Sequence, residues 1–322
     1  MPIICLCGLH GSGKGAIASE LVKNHGFTLV KLQNSLKTSI VTIPETCDNI
    51  IEFQTTDQAV DELTSNWRGN YVIADLMDYA SYEAFLKRPF FVIVEVVAPC
   101  TVRYNRVTLN SPAITMLELV QCDDDLLFGP VNLHGILRHA KVCITNDSND
   151  PAILYSAIAR MHLEDDDKWI RPSWDVYFME MAELASKRSN CMKRVVGAVL
   201  VKDRRVVATG YNGTARGLVN CRDGGCVRCN GNARCGVGLE HCFCLHAEEN
   251  ALLEAGRARS EGSTLYCTTA PCLGCSQKII QCGVIRVVYA REYSLEHNAL
   301  ALMNTVGVQL VKYVEDVPLI VR

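Results

Sequence analysis

His246-Ala247-Glu248 and, 23 residues beyond Glu248, Pro271-Cys272-Leu273-Gly274-Cys275 decide how this 322-residue chain reads. A histidine and two thiolates are three suitable ligands for zinc, and a tetrahedral ion held by three protein groups keeps its fourth position for water. That open position marks a catalytic site. The apolar pattern after each segment predicts helices over 246–255 and 272–281, so the ligands His246, Cys272 and Cys275 fall at helix N-termini, where the dipole favours thiolate over thiol. Zinc brings the pKa of a bound water to about 7. Glu248, two residues from His246 and not itself a ligand, is spaced to carry that water's proton. Glu249 lies about 100° further round the helix and is not expected to share the task.

Working outward, the surrounding chain alternates strand and helix patterns. A helix is expected over 173–187 and a hairpin over 195–201 and 205–211. Strands follow at 264–267, 284–289 and 309–311, with a helix at 295–304 between the last two. The first half has the same style, with strands at 3–7, 28–31, 71–74 and 90–97 and helices at 13–23, 57–67 and 101–110. Such alternation predicts an α/β fold with a parallel sheet, and the continuous run Phe90-Phe-Val-Ile-Val94 suits a strand buried on both faces. The acidic run from Leu163 to Lys168, followed by Arg171-Pro172, places a domain boundary there, giving domains 1–168 and 169–322.

Composition narrows the function classes. Hydrophobic residues make up 49% and charged ones 21%, no apolar stretch approaches the roughly 20 residues of a membrane span, and the net charge is -3. No basic field gathers long nucleic acid, which favours a small substrate or a protein partner. The start MPIICLCGLH lacks the features of a secretory signal, so a reducing compartment is expected, cytoplasmic and also nuclear. Of the 17 cysteines, seven are scattered between Cys5 and Cys191 and ten crowd between Cys221 and Cys282, a density that asks for metal.

Gly8-Leu-His-Gly-Ser-Gly13-Lys14-Gly15-Ala16 follows one predicted strand and opens a helix, the setting of a phosphate-cradling loop in which backbone N–H groups and Lys14 face an anion. A merely tight turn is the competing reading. The loop resembles the nucleoside-monophosphate kinase branch of P-loop proteins, which implies a nucleotide phosphate site at Gly8, Gly13 and Lys14. The resemblance also puts Asp75 at the position of a metal-associated acid and turns Arg103 and Arg106 toward phosphates, although a solvated surface is the commoner fate of such arginines. Ala16 stands where the magnesium-holding hydroxyl is usual, so a degenerate, non-catalytic domain is expected.

The H-x-E and P-C-x-x-C pair is the signature of zinc nucleobase deaminases. Together with Val195-Val-Gly-Ala-Val199, Ala208-Thr-Gly-Tyr-Asn-Gly-Thr-Ala-Arg-Gly217, Asn220-Cys221 and Glu249-Asn250-Ala251, it makes the second half resemble the deoxycytidylate (dCMP) deaminase family. The resemblance implies a three-layer α/β/α sandwich, hydrolysis of dCMP to dUMP and ammonia, Asn212 on the sugar hydroxyl, and a homo-oligomer, often a hexamer, activated by dCTP and inhibited by dTTP. Ala215 stands where many relatives carry proline. Lys193, Arg194 and Arg216 are the candidates for the substrate phosphate. The insertion Cys221, Cys226, Cys229, Cys235, His241, Cys242 and Cys244 offers more ligands than one tetrahedral site can use. A second, structural zinc is expected there, with Cys191 joining it. Two other classes stay open: an editing deaminase on RNA or single-stranded DNA, and a nucleotide-binding regulator with an inactive deaminase scaffold.

Overall fold

The apolar runs of the first half do form strands, and in the computed structural model they assemble into a parallel sheet. The described residues are 2–33, 49–74, 78–165, 169–234, 237–292 and 297–314. Met1–Pro172 packs as one unit and Ser173–Glu315 as another. The first runs β1 (Ile3–Cys7), α1 (Lys14–Asn24), β2 (Thr28–Leu32), β3 (Ile50–Phe53), α2 (Thr56–Ser65), β4 (Tyr71–Ile73), α3 (Tyr79–Leu86) and β5 (Phe91–Val97). It ends with α4 (Cys100–Asn110), α5 (Met116–Phe128), α6 (Leu133–Leu137), β6 (Ala140–Thr145) and α7 (Pro151–Met161).

Strand order is β3-β2-β4-β1-β5-β6 with every pairing parallel. β1 is buried at every residue because alternate side chains enter two different cores. Ile4 and Leu6 meet Ile17, Leu21 and Ile158 of α1 and α7, whereas Ile3, Cys5 and Cys7 meet Leu63, Tyr82, Phe85 and Ile136 of α2, α3 and α6. The sheet is therefore covered on both faces, as a continuous apolar strand requires.

The second unit runs α8 (Trp174–Ser186), β7 (Gly197–Lys202), β8 (Arg205–Tyr211), β9 (Gly213–Thr214), α9 (Val227–Asn230), β10 (Cys244–Leu245), α10 (Ala247–Ser260) and β11 (Thr264–Thr269). α11 (Leu273–Gln281), β12 (Arg286–Arg291), α12 (His297–Thr305) and β13 (Gln309–Lys312) complete it. Its five-stranded sheet has the order β13-β12-β11-β7-β8, with β11 to β13 parallel and β7 antiparallel to both neighbours. One face meets Phe178, Met179 and Ala182 of α8. The other meets Ala247, Ala251 and Leu252 of α10, Ile279 of α11 and Met303 of α12.

Two glycines set how closely helices approach this sheet. A Cβ on Gly197 would stand 2.1 Å from the Ala182 carbonyl oxygen of α8, and one on Gly210 would stand 2.1 Å from the Ala247 carbonyl oxygen of α10. Gly210 thus lets the first turn of α10, which carries Glu248, lie directly on β8. The chain leaves helical geometry near the end of α10 at Gly256, whose φ of 68° suits glycine.

Candidate active site

Three residues of the site arrive on two helix starts. His246 caps α10, Cys272 caps α11, and Cys275 lies in the first turn of α11. His246 Nδ1 stands 3.4 Å from Cys272 Sγ and 3.3 Å from Cys275 Sγ, and the three ligand atoms lie within 4.8 Å of one another. A tetrahedron built with zinc–nitrogen and zinc–sulfur bond lengths has N···S edges of about 3.6 Å, so this donor set fits the ion. The three groups also share protons. The Cys275 hydrogen bond draws the Cys272 thiol down to about 4, while the Cys272 hydrogen bonds hold Cys275 well up and raise His246 to about 9. A cation bound among them would displace those protons.

Glu248 is 4% exposed, and burial lifts its carboxyl to about 7. Its neighbour Glu249 has a different task. Glu249 Oε2 accepts from the His246 backbone N–H at 2.8 Å and Oε1 pairs with Lys278 in the last turn of α11, so it ties the start of α10 to α11.

His246, Glu248 and Cys272 border a cavity of about 330 Å³ that Asn212, Lys193 and Arg194 also line. Asn212 is more than a wall. Its Oδ1 accepts from the Val196 N–H at 2.9 Å and from Ser189 Oγ at 2.7 Å, and its Nδ2 donates to the Arg194 carbonyl at 2.8 Å. It therefore fastens the segment preceding β7 to the end of β8. Arg216 lies beyond β9, is exposed, and is not among the residues lining this cavity. Arg234, which the sequence reading passed over inside the cysteine-rich insertion, does line it. Its only local signal was a cationic residue beside the cysteines.

The cysteine-rich insertion gathers around six sulfurs, those of Cys191, Cys221, Cys226, Cys229, Cys242 and Cys244. His241, expected among the ligands, is 80% exposed beside Glu240 and takes no part, because the turn that carries it points it to solvent. Cys235 lies outside the described residues, as does Asp75.

In the first unit the lysine of the glycine loop is held by the loop's own carbonyls, while His10 Nδ1 and Ser12 Oγ are buried without a partner among the described residues. Lys14 is buried at the start of α1 and its Nζ donates to the Gly8 and Leu9 carbonyls at 2.7 and 3.1 Å; burial lowers its amine to about 8. Arg103 is buried and Arg106 half-buried. Arg103 forms a buried two-point pair with Asp123 at 3.0 and 2.7 Å and donates to the His10 carbonyl, while Arg106 donates to the Gly11, Asn146 and Ser148 carbonyls. Asn146 Nδ2 donates to the Ser12 carbonyl at 2.8 Å, and it stands where a Cβ on Gly13 would fall.

Residues 172–291 match the family described as the cytidine and deoxycytidylate deaminase zinc-binding region, which makes zinc the cofactor and the Cys/His clusters its candidate holders. The chain is 44% identical to the deoxycytidylate deaminase of Schizosaccharomyces pombe over 98% of both chains. It is 41% identical to that of Saccharomyces cerevisiae over 78% of this chain and 84% of the relative. It is also similar to the crystal structure of dCMP deaminase from the cyanophage S-TIM5 in complex with dCMP and dUMP, at 37% identity, covering 44% of this chain and 98% of that one, with a TM-score of 0.37. With an end-to-end relative at that identity and the deaminase motifs on two adjoining helix starts, the chain belongs to the deoxycytidylate deaminase family and is a hydrolytic deaminase.

Proposed function

We propose that the second unit is a zinc-dependent enzyme converting dCMP and water to dUMP and ammonia, with Glu248 as proton carrier. The observation that carries this reading is the buried Glu248 carboxyl on the wall of the cavity that His246 and Cys272 also border. A carboxyl held beside the ligands and away from bulk water is placed to accept and return protons. His246, Cys272 and Cys275 would hold the zinc, which supplies Lewis-acid activation of a water molecule. Glu248 takes a proton from that water, delivers it to N3 of the pyrimidine, and carries the second proton to the departing amine at C4, so the products are dUMP and ammonia. The low-dielectric surroundings of Glu248 keep these transfers away from bulk solvent.

The lining of the same cavity supports a reading of the substrate's polar ends. Asn212 holds the sugar end, with one amide hydrogen left after its bond to the Arg194 carbonyl. Lys193, Arg194 and Arg234 form the cationic wall suited to a phosphate, in preference to Arg216. The names of the relatives support dCMP over other cytosine compounds. The test is kcat/KM of the zinc-loaded full chain on dCMP, deoxycytidine, CMP and a short single strand. A preference for dCMP is expected; comparable or greater turnover of the single strand would favour the editing reading.

The proposal extends to the first unit and to regulation. The β1-loop-α1 placement, the parallel sheet and the buried Lys14 support a kinase-like P-loop domain, and Ala16 supports loss of its catalysis. Family likeness supports a homo-oligomer, often hexameric, activated by dCTP and inhibited by dTTP. Saturation curves for dCMP that neither nucleotide moves would remove that regulation.

A further inference from the structure

The insertion of the second unit has a core without a single aliphatic or aromatic side chain among the described residues. It consists of Cys191, Cys221, Cys226, Cys229, Cys242 and Cys244, all free thiols. They come from four places: the segment after α8, the turn Cys221–Asp223, α9 with its cap, and the segment entering β10. Two sets of four satisfy the closeness of a tetrahedral site. One is Cys191, Cys221, Cys229 and Cys244, the other Cys226, Cys229, Cys242 and Cys244, and within each set the sulfurs lie within 4.8 Å of one another. Cys229 and Cys244 belong to both sets.

The distances follow that sharing. Cys229 Sγ stands 3.8 Å from Cys191, 3.5 Å from Cys242 and 4.0 Å from Cys244, and Cys226 Sγ stands 3.9 Å from Cys242. These separations are roughly twice a disulfide bond. They match the edge of about 3.8 Å in a tetrahedron of zinc–sulfur bonds. Backbone N–H groups also point at the sulfurs, from Met192 to Cys221 and from Phe243 to Cys226, both at 3.4 Å.

We propose that the six thiolates hold two zinc ions that share Cys229 and Cys244 as bridges, in addition to the zinc of the active site. A single ion would engage four sulfurs and leave two, one buried and one half-buried, without a ligand role. Two ions engage all six, and each thiol releases its proton to solvent as it binds. Six thiolates with two divalent ions carry a residual charge of -2, and the Arg228 guanidinium, 4.0 Å from Cys229 Sγ, faces it. Cys191, Cys229, Cys242 and Cys244 line the same cavity as Glu248. The metal pair therefore forms the structural wall of the substrate cavity, and it replaces an apolar core that the glycine-rich insertion cannot build.

The test uses the reduced full chain, loaded with zinc without oxygen and freed of excess metal. Native mass spectrometry is expected to give three zinc ions per chain. Replacement with cadmium-113 is expected to give two resonances in the thiolate-rich range that are scalar-coupled to each other, because only a shared sulfur transmits that coupling. Two zinc ions per chain, or thiolate-rich cadmium signals with no mutual coupling, would overturn the proposal.

Discussion

Arg234 and Asn212 line one cavity but predict different kinetic signatures. If Arg234 meets the substrate phosphate, Arg234→Ala raises KM for dCMP by about 10- to 100-fold, the worth of one charged hydrogen bond, and leaves deoxycytidine turnover unchanged. Steady-state kinetics on the two substrates checks this; equal losses on both would place Arg234 in the scaffold. Asn212 already holds three internal partners, so Asn212→Ala should cost stability of about 1–3 kcal/mol as well as affinity, read as a lower urea midpoint together with a higher KM. Asn212 was a candidate sugar contact through the family resemblance. Its clamp on Val196 was not legible, because that partner lies 16 residues away in the segment preceding β7.

At the scale of elements, α10 sits where it does because Gly210 has no side chain. Gly210→Ala drives a Cβ into the Ala247 carbonyl and lifts the start of the helix, at a cost of about 1–3 kcal/mol. A displacement of about 1 Å at Glu248 lowers kcat about 100-fold, so activity should fall further than thermal stability alone explains. α8 is fixed from its other end, where Asp175 accepts two bonds from Arg286 of β12 at 2.8 and 2.6 Å and one from the Tyr266 hydroxyl of β11 at 2.8 Å. The Arg286 hydrogen bonds hold the Asp175 carboxyl below its usual range. A depressed folded-state pKa gives stability that is present above the unfolded value of about 3.9 and is lost as pH falls through the folded value. Asp175→Asn should therefore lower the urea midpoint at pH 7, by about 1 kcal/mol in stability, and converge with the wild type in acid; a gap that widens in acid would contradict this. Most strands and helices of the second unit were legible because each carries its own apolar period. The edge strands β3 and β6 were not: β3 is four residues long and exposes Ile51 and Glu52, and β6 alternates buried and open positions without a continuous run. α3, α5, α6 and α7 were also missed, since α6 is only five residues long and α5 exposes Leu117 and Val120, which blurs its apolar stripe.

Across the whole molecule, local motifs were readable and long-range partnerships were not. His246, Glu248, Cys272 and Cys275 stand at fixed spacing beside helix starts, so their chemistry could be read along the chain. Cys191 meets Cys229 from 38 residues away, and Arg103 meets Asp123 across two helices with no pattern to announce either contact. Removing one partner of that buried pair leaves an unpaired charge, so Arg103→Ala should cost the first unit about 3–5 kcal/mol, seen as an early transition in thermal unfolding. The central claim concerns Glu248, and the most direct measurement is ammonia release from dCMP by wild type and Glu248→Gln, with zinc content determined on both. The account predicts turnover by the wild type and a loss of about 100- to 10,000-fold in the variant at equal zinc. Undiminished turnover by a zinc-replete Glu248→Gln protein would contradict it.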